Sequence, residues 1–430
     1  MLVWIFLIVL LGFIVVGMPV GFAMGITSLV VLIFDRGLLD IPFGIAAQRI
    51  MYGVNSFPLL AIPFFLLVGR IMNTAGVTDR IFNFCNALIG HIQGGLGHVN
   101  ILASMIFAGM SGSAVSDAVG LGQMEIKAMK DAGYSIEFSA AVTAASATIG
   151  PIIPPSIPMV LFGVLGNVSV GALFIGGLVP GVMMGLFMMA TVTVIAKKRD
   201  YPIRKRSSFK EILQSSAKAF FSLLTPAILI GGIWVGIFTP TEAAAVAVVY
   251  SLFLGLVLYR EITLKSLVQV LRDSLDDAAI ILFIISAASL YGWLLARYRI
   301  PVTLAEAILS ITRDPLYILI IINLFLLMVG FFMESLAAIN ILTPILMPLV
   351  TQVGINPVHF GVVMVLNLMI GLITPPVGMV LYATQRVAGI PFEKLQKSVM
   401  IFFIPLLLVL ALITVFPVLT TWLPSRILGR

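Results

Sequence analysis

Charged residues are scarce in this 430-residue chain. They make up 10% of it, whereas 60% of the residues are hydrophobic and the mean hydropathy is +1.17. Apolar runs of 18 or more residues therefore follow one another and predict membrane-spanning helices. Strict alternation of apolar and polar residues is missing as well, which excludes an outer-membrane barrel. The sequence predicts an all-α polytopic membrane protein.

Other absences narrow the possible functions. The single cysteine, Cys85, excludes an intrachain disulfide. No His and Cys spacing suits a metal site, and no glycine loop precedes a Lys-Ser or Lys-Thr pair, which argues against ATP-driven transport by this chain. Residues 1–34 hold no charge and no cleavage pattern, so we expect retained membrane structure rather than a signal peptide. The net charge of +7 sits in short clusters between apolar runs, which indicates orientation signals rather than a nucleic-acid surface.

Two halves of the chain carry the same interruption of an apolar run. Residues 150–155 are Gly-Pro-Ile-Ile-Pro-Pro, and residues 371–376 are Gly-Leu-Ile-Thr-Pro-Pro. The spacing matches twice, because 371 − 150 and 354 − 133 both equal 221. Positions 133 and 354 are glycines, as positions 150 and 371 are. The pattern predicts one broken helix used twice.

Proline gives these breaks their chemistry. Pro154 is expected to free the carbonyl of Gly150, and Pro375 that of Gly371, because proline has no N–H and its ring displaces the carbonyl four residues earlier. Such backbone is tolerated at membrane depth where it is buried in protein or lines a polar cavity. Paired broken helices in corresponding halves therefore predict a transport site.

The basic residues predict the orientation of the spans. The densest cluster lies at 197–210, and the positive-inside rule places it in the cytoplasm. Following the spans from that point gives the two broken helices opposite orientations, which is the inverted-topology arrangement of secondary transporters. The result requires segments 99–121 and 316–349 to be re-entrant hairpins with polar tips, since the number of crossings changes otherwise.

This threading divides the chain into four parts. The first part is an N-terminal membrane segment at 1–56, and the second is an inverted repeat at 57–196 with a tip near 111–117 and a break at 150–156. The third part, at 197–276, contains a basic loop, two scaffold helices and an interfacial helix. The fourth is the second inverted repeat at 277–430, with a tip near 334–343 and a break at 371–378. Residues 260–275 are amphipathic and predict a helix on the cytoplasmic surface, with a solvated connector as the alternative. Residues 17–21 either kink one long helix or join two short spans.

The first tip gathers Ser111, Ser113 and Ser116 with Asp117 in an apolar context. A charge in mid-membrane costs ~2.5–3.5 kcal/mol on insertion scales, so Asp117 is a functional hypothesis by default. Hydroxyl, carboxylate and carbonyl oxygens suit a hard cation such as Na⁺, so we predict a cation site at this tip. The alternative is a small-residue packing face at 109–114.

The second tip holds Glu334, Ser335, Asn340 and Thr343, and the offset of 221 places Glu334 over Ser113. A carboxylate in each tip predicts two related cation sites, although Glu334 could instead cap a half-helix. Helices that begin after the breaks, at Ser156 and Gly378, would direct positive dipole ends toward the cavity. That arrangement suits an anionic substrate.

An alternative hypothesis is that Ser111 is a catalytic nucleophile. Residues 109–112, Gly-Met-Ser-Gly, match the Gly-x-Ser-Gly pattern of intramembrane serine proteases. Such a serine needs a base within hydrogen-bond reach, and the three histidines flank spans instead of lying deep in one. Thr239, Pro240 and Glu242 have a simpler interpretation, because they predict a capping box that opens the next span.

Several motifs in order resemble the large membrane subunit of a tripartite ATP-independent periplasmic (TRAP) transporter, of the DctM/SiaM-like kind. They are Ala-Ile-Pro-Phe-Phe at 61–65, Ser-Gly-Ser-Ala at 111–114 with Asp117, Gly-Pro-Ile-Ile-Pro-Pro-Ser at 150–156, Thr-Pro-Thr-Glu-Ala-Ala at 239–244 and Thr-Pro-Pro-Val-Gly at 374–378. The resemblance covers nearly the whole chain. It implies an elevator-type Na⁺ symporter of a bacterial or archaeal inner membrane, which takes an organic acid from a periplasmic binding protein (DctP/SiaP-like) and works with a small four-helix membrane subunit (DctQ/SiaQ-like).

The resemblance also implies Na⁺ ligands. They are Ser111, Ser113, Asp117, Gly150, Pro154, Pro155 and Ser156 in the first half, and Gly371, Thr374, Pro375 and Met379 in the second, where the residues themselves add Glu334. The family handles C4-dicarboxylates, sialic acids and other carboxylates, and no intramembrane arginine stands out as a carboxylate clamp, because Arg70, Arg297 and Arg386 fall near span ends. A stand-alone Na⁺-coupled dicarboxylate carrier remains the alternative within transport.

Overall fold

The computed structural model of the protein describes residues 2–37, 39–375 and 377–429. Pro376, the last proline of the predicted second break, lies outside the described residues. Within them the chain forms helices joined by short connections and no strand, so the all-α prediction is confirmed. Seven continuous helical stretches in these residues are long and apolar enough to cross a membrane, and two of them, Phe57–Thr74 and Pro240–Leu258, include a short 3-10 or π-helical turn.

The first ten helices contain the first tip and the first break. They are α1 (Leu2–Val15), α2 (Val20–Arg36), α3 (Phe43–Val54), α4 (Ala61–Thr74), α5 (Val77–Ile89), α6 (Gly95–Ser111), α7 (Ala114–Asp131), α8 (Ile136–Ala147), α9 (Ile157–Gly166) and α10 (Val170–Lys198).

The remaining ten contain the second tip and the second break. They are α11 (Phe209–Trp234), α12 (Pro240–Leu252), α13 (Leu264–Arg297), α14 (Ile300–Leu309), α15 (Pro315–Gly330), α16 (Ser335–Gln352), α17 (Pro357–Gly371), α18 (Met379–Ala388), α19 (Phe392–Val415) and α20 (Val418–Leu428).

The sequence offset of 221 reappears in the helix boundaries. It separates the starts of α3 and α13 (264 − 43), of α7 and α16 (335 − 114), and of α8 and α17 (357 − 136). The caps correspond as well, because Ser135 and Asn356 each cap the helix that follows with their side chains. The repeat is therefore a repeat of helix starts and stops as well as of motifs.

Both predicted polar tips are helix–turn–helix elements. In the first, α6 ends at Ser111 and α7 begins at Ala114, and Gly112 between them has a φ of +61°, which a residue with a side chain adopts only with strain. In the second, residues 331–334 separate α15 from α16. Both broken helices are present too, with α8 separated from α9 by residues 148–156 and α17 from α18 by residues 372–378.

The most buried helices lead into the breaks. Every residue of α8 from Phe138 onward is buried, as is every residue of α17 from His359 onward. A helix enclosed on all sides cannot satisfy polar groups with lipid or bulk water, so its polar side chains must bond to each other. Such a network lies between α6 and α8, where Asn100 donates to Thr143 at 2.7 Å and accepts from Ser146 at 2.7 Å.

The structure differs from the sequence prediction at 260–275. No separate interfacial helix forms there, because α13 begins at Leu264 and continues unbroken for 34 residues, so the predicted boundary at 276 falls inside it. A capping box at Thr263 starts this helix, and no proline interrupts it. At the N-terminus α1 and α2 are two helices, which decides between the two alternatives left by the sequence. The capping box of Thr239 and Glu242 is confirmed.

Candidate functional site

The first tip places its oxygens at the junction of α6 and α7. Ser111 is the last residue of α6, Ser113 is the N-cap of α7, and Asp117 lies in the first turn of α7. Ser111 Oγ donates a hydrogen bond to Asp117 Oδ1. Asp117 is 1% exposed, and its other oxygen, Oδ2, has no hydrogen-bond partner among the described residues. A buried carboxylate oxygen in that condition is costly unless a cation or proton approaches it.

The first break is closed by Ser156. Its hydroxyl donates to the Pro151 carbonyl and accepts from Met159 N at 3.1 Å, so one side chain holds the loop and caps α9. Pro154 and Pro155, which lie between Pro151 and Ser156 in the chain, are both buried. Among the described residues no donor reaches the carbonyl oxygen of Gly150, as the sequence predicted for a residue four positions before Pro154.

The tip and the break touch at two glycines. A Cβ added to Gly150 would lie 2.3 Å from Asp117 Oδ2, and one added to Gly112 would lie 2.6 Å from the Pro155 carbonyl oxygen. Both glycines are thus needed for the close approach. The unpartnered carboxylate oxygen of Asp117 lies against Gly150, the residue whose carbonyl lacks a donor. We refer to Ser111, Asp117 and Gly150 together as the first cage.

The donor set of the first cage fits a hard monovalent cation. It offers a hydroxyl, a carboxylate and backbone carbonyl oxygens, and it contains no sulfur or imidazole. The small-residue packing described for 109–114 is present too, since Gly109 packs against Pro226. The tip therefore combines a packing face with a buried carboxylate oxygen that has no partner among the described residues.

The second tip is arranged differently. Glu334 is the N-cap of α16, where Oε2 accepts from Ala337 N at 3.1 Å and Oε1 accepts from Ser335 Oγ at 3.0 Å. The predicted freeing of the Gly371 carbonyl is wrong, because Thr374 N donates to it at 3.0 Å in a tight turn. Thr374 Oγ1 donates to Ile370 O at 2.6 Å.

The other predicted ligands of the second half are spread out. Gly371 packs on the backbone of Gly330, where an added Cβ would lie 2.7 Å from Gly330 Cα. Pro375 is half-buried, and Met379 is 41% exposed at the start of α18. The first break therefore forms a compact oxygen cluster with its tip, whereas the second forms a backbone contact.

The two halves meet at a small cavity of about 60 Å³. Its walls include Ser113 of the first tip, Glu334 and Ser335 of the second, and Pro158. The first turns of α7, α9 and α16 all contribute residues to this wall, so three helix N-termini surround one space. The N-terminus of α18 at Gly378 is not among them.

Two features escaped the sequence reasoning. Glu125 of α7 is completely buried, and both of its carboxylate oxygens lack partners among the described residues. Its eight-residue spacing from Asp117 was the available signal. Gly330 was also missed, because a glycine at the end of an apolar run gives no sign of the distant backbone it will touch.

No histidine is hydrogen-bonded to Ser111 among the described residues, so the geometry does not support the protease hypothesis. The recorded partners of Ser111 are Asp117 and the backbone N–H of Ser113. His98 pairs with Thr193 and His359 with Thr420, so these two rings have partners away from the tip.

Comparison with known proteins identifies the family. Residues 7–419 match the family described as "Tripartite ATP-independent periplasmic transporter, DctM component". The chain belongs to this family. It is a multi-pass membrane component of a tripartite transporter rather than an enzyme, and the family resemblance proposed from the motifs is confirmed. The stand-alone carrier is thereby excluded.

Individual relatives agree with that assignment. The chain is 48% identical over 419 residues to the sialic acid TRAP transporter large permease protein SiaM of Vibrio cholerae, covering 97% of each chain. It is 42% identical over 426 residues to the sialic acid TRAP transporter permease protein SiaT of Haemophilus influenzae, covering 99% of this chain and 69% of that one.

A solved structure shares the fold of this DctM-family subunit. The YdaH transporter of Alcanivorax borkumensis superposes with a TM-score of 0.64 at 13% identity, over 90% of each chain. At that identity the likeness concerns the fold alone, which is that of a helical transporter with an unusual topology.

Proposed function

We propose that this subunit couples the entry of Na⁺ to the uptake of an organic acid. The observation that carries the proposal is the first cage, in which Asp117 Oδ2 is buried without a partner beside Gly150, whose carbonyl has no donor. A monovalent cation placed there would satisfy both groups at once, and neither a helix cap nor a packing role would.

The second site predicted over Glu334, Gly371, Thr374, Pro375 and Met379 remains a prediction. The oxygens of Glu334 and the carbonyl of Gly371 already accept hydrogen bonds, so none of them is left unpartnered as Asp117 Oδ2 is. We therefore assign the larger share of Na⁺ coupling to the first cage. Binding at the second break would require those bonds to rearrange.

An anionic cargo is supported by the cavity between the tips. Three helix N-termini border it, and each presents a partial positive charge. Ser113 and Ser335 add hydroxyl donors. A bound Na⁺ in the first cage would neutralise Asp117 nearby, so that cation and anion bind more favourably together than apart. This is the coupling that a symporter needs.

Sialic acid is the first cargo to test among the carboxylates. The relatives that share 48% and 42% of their residues with this chain carry its name, and both align over 97% or more of it. We propose that a periplasmic binding protein (DctP/SiaP-like) delivers the acid and that a small membrane subunit (DctQ/SiaQ-like) completes the complex. The cell inner membrane is the expected location, with the basic cluster at 197–210 in the cytoplasm.

The proposed motion is of the elevator type. The two tips and two breaks, which would be related by an inverted repeat, would move together against α4, α11, α12 and α13, carrying ion and acid across the membrane. The short, enclosed α8 and α17 would travel as the centre of the moving part.

Reconstituted uptake tests the function directly. Proteoliposomes containing this subunit and the small membrane subunit would receive labelled sialic acid with the binding protein, and external Na⁺ would be present or replaced by K⁺. We expect uptake with Na⁺ and with the binding protein, and little without either. Equal uptake in K⁺ would overturn Na⁺ coupling. Uptake of a C4-dicarboxylate but not of sialic acid would keep the coupling and change the cargo.

A further inference from the structure

A polar cavity of about 440 Å³ lies beside the first cage and has no place in the mechanism so far. Its walls come from α4, α6, α7 and α13 and include Arg70, Asn73, Ser111, Ser116 and Asp277. The cavity reaches the hydroxyl of Ser111, which donates to Asp117. Ser111 therefore belongs both to the wall of this cavity and to the proposed ion site.

The outer wall of the cavity carries an incompletely balanced charge cluster. Arg70 Nε lies 3.1 Å from Asp277 Oδ2, and Arg70 Nη1 lies 3.5 Å from Asp273 Oδ2. One guanidinium thus serves two carboxylates, which leaves the cluster one negative charge in excess. Asp273 also accepts from Gln269 Nε2 at 2.7 Å, and this neutral donor does not change that balance.

We infer that this cavity is the aqueous vestibule of the first cage and that the Arg70, Asp273 and Asp277 cluster attracts a hydrated monovalent cation into it. Low-dielectric walls around a net negative cluster raise the local concentration of cations. The serine hydroxyls of the opposite wall, at Ser111 and Ser116, offer oxygens to an ion that is losing water on its way to Asp117. The inference rests on the proposed Na⁺ site and adds its route and the residues that tune it.

The cluster is poorly suited to the alternative occupant, the carboxylate of the cargo. Arg70 is already engaged by two acids, and an entering carboxylate would have to displace Asp277 while facing the excess negative charge. The cavity between the tips is bordered by helix N-termini, and the carboxylate in its wall, Glu334, is hydrogen-bonded as a helix cap. The two cavities adjoin, because Ser113 and Val115 line both. We assign the cation to the side that carries the charge cluster and the anion to the side bordered by the helix N-termini.

The experiment measures the melting temperature of the purified complex in lipid nanodiscs as Na⁺ is added. The midpoint is the Na⁺ concentration that gives half of the maximal increase in melting temperature. N-methyl-D-glucamine keeps the ionic strength constant. Asp277→Asn should raise this midpoint by about two- to tenfold, the order of magnitude for removing one partly exposed unit charge from the wall of the cavity. Arg70→Gln should lower it, because the excess negative charge grows. The shifts should shrink at high ionic strength.

Asp276→Asn is the matched control. Asp276 is the neighbouring residue on α13, is exposed and does not line the cavity. Its variant removes the same charge and should leave the midpoint unchanged. Val119→Lys, which adds a positive charge on the opposite wall without disturbing the ion pair, should raise the midpoint as Asp277→Asn does.

The outcomes separate the two proposals. A wild-type complex that Na⁺ does not stabilise would overturn the proposed function, and the vestibule with it. If Na⁺ stabilised the complex and the midpoint were the same in wild type, Asp277→Asn and Val119→Lys, the vestibule proposal alone would be overturned. Equal shifts in Asp276→Asn and Asp277→Asn would do the same, because they would indicate a general surface-charge effect. Opposite shifts for Arg70→Gln and Asp277→Asn support the inference.

Discussion

The two breaks of this transporter subunit match in where their helices start and stop. They differ in whether their carboxylate and carbonyl oxygens are hydrogen-bonded. In the first half, Asp117 Oδ2 and the Gly150 carbonyl have no partner among the described residues. In the second, Glu334 caps α16 and Thr374 N occupies the Gly371 carbonyl. A repeat therefore preserves where helices start and stop, while individual side chains decide which copy keeps ligands available.

Neutralising the two tip carboxylates should give the largest contrast. Asp117→Asn should raise the Na⁺ midpoint of thermal stabilisation by about 10- to 100-fold, since hydrogen-bond and ion contacts to a charged group are worth roughly 1.5–3 kcal/mol. Glu334→Gln keeps an accepting oxygen for the cap and should change the midpoint little. Equal shifts in the two variants would show that the halves contribute alike and would contradict the asymmetry.

Adding a methyl group to the two glycines should distinguish a side-chain contact from a backbone contact. Gly150→Ala and Gly371→Ala should each lower stability, by about 1–3 kcal/mol for overpacking. The partner of Gly150 is the Asp117 side chain, so Asp117→Ala should relieve the cost of Gly150→Ala. The partner of Gly371 is the Gly330 backbone, which no side-chain truncation removes.

Thermal unfolding of the single and double variants measures that difference. If Asp117→Ala left the cost of Gly150→Ala unchanged, the close approach of this carboxylate to the first break would be refuted.

Buried amides behind the breaks should behave alike in both halves. Asn100 joins Thr143 and Ser146, and Asn367 donates to Asn323 Oδ1 at 2.8 Å. Replacing either asparagine with alanine leaves buried partners unpaired and should cost about 1–3 kcal/mol. Neither touches the first cage, so the Na⁺ midpoint should stay constant while the melting temperature falls. A shifted midpoint in Asn100→Ala would extend the ion site along α6 as far as Asn100.

The smallest contrast concerns the matching helix caps. Asn356 Oδ1 accepts from Val358 N at 2.9 Å, whereas Ser135 Oγ accepts from Phe138 N at 3.4 Å. Alanine at either position should lower stability by about 0.5–2 kcal/mol, with the larger loss for Asn356→Ala because its bond is shorter. Melting temperatures of the two variants test the order, and a larger loss for Ser135→Ala would reverse it.

Local patterns explain why much of the fold was predictable. The Pro-Pro pairs locate both breaks, since proline removes a donor wherever it occurs in a helix. The capping box at Thr239 was predictable for the same reason, because its partners lie three residues apart. The continuous α13 was not, since an amphipathic segment can end before an apolar one or run into it, and the neighbouring helices decide.

The candidate site also contains residues that local sequence predicts and residues that only the tertiary structure brings together. Ser111, Asp117 and Gly150 were named from the sequence because a carboxylate and a freed carbonyl are conspicuous in apolar surroundings. That Glu334 caps a helix was an open alternative, and only its bonds to Ala337 and Ser335 decided it. Arg70 and Asp277 lie 207 residues apart, and no local pattern connects them.

The sequence by itself determined the family, the helical class, the repeat and the residues of the first cage, because each follows from composition or from groups close together in the chain. The tertiary structure decided which break keeps unpaired oxygens, where the two tips meet, and that Arg70, Asp277 and Ser111 line the same cavity. Those outcomes depend on distances between helices remote in sequence, and such distances are fixed only when the whole chain packs.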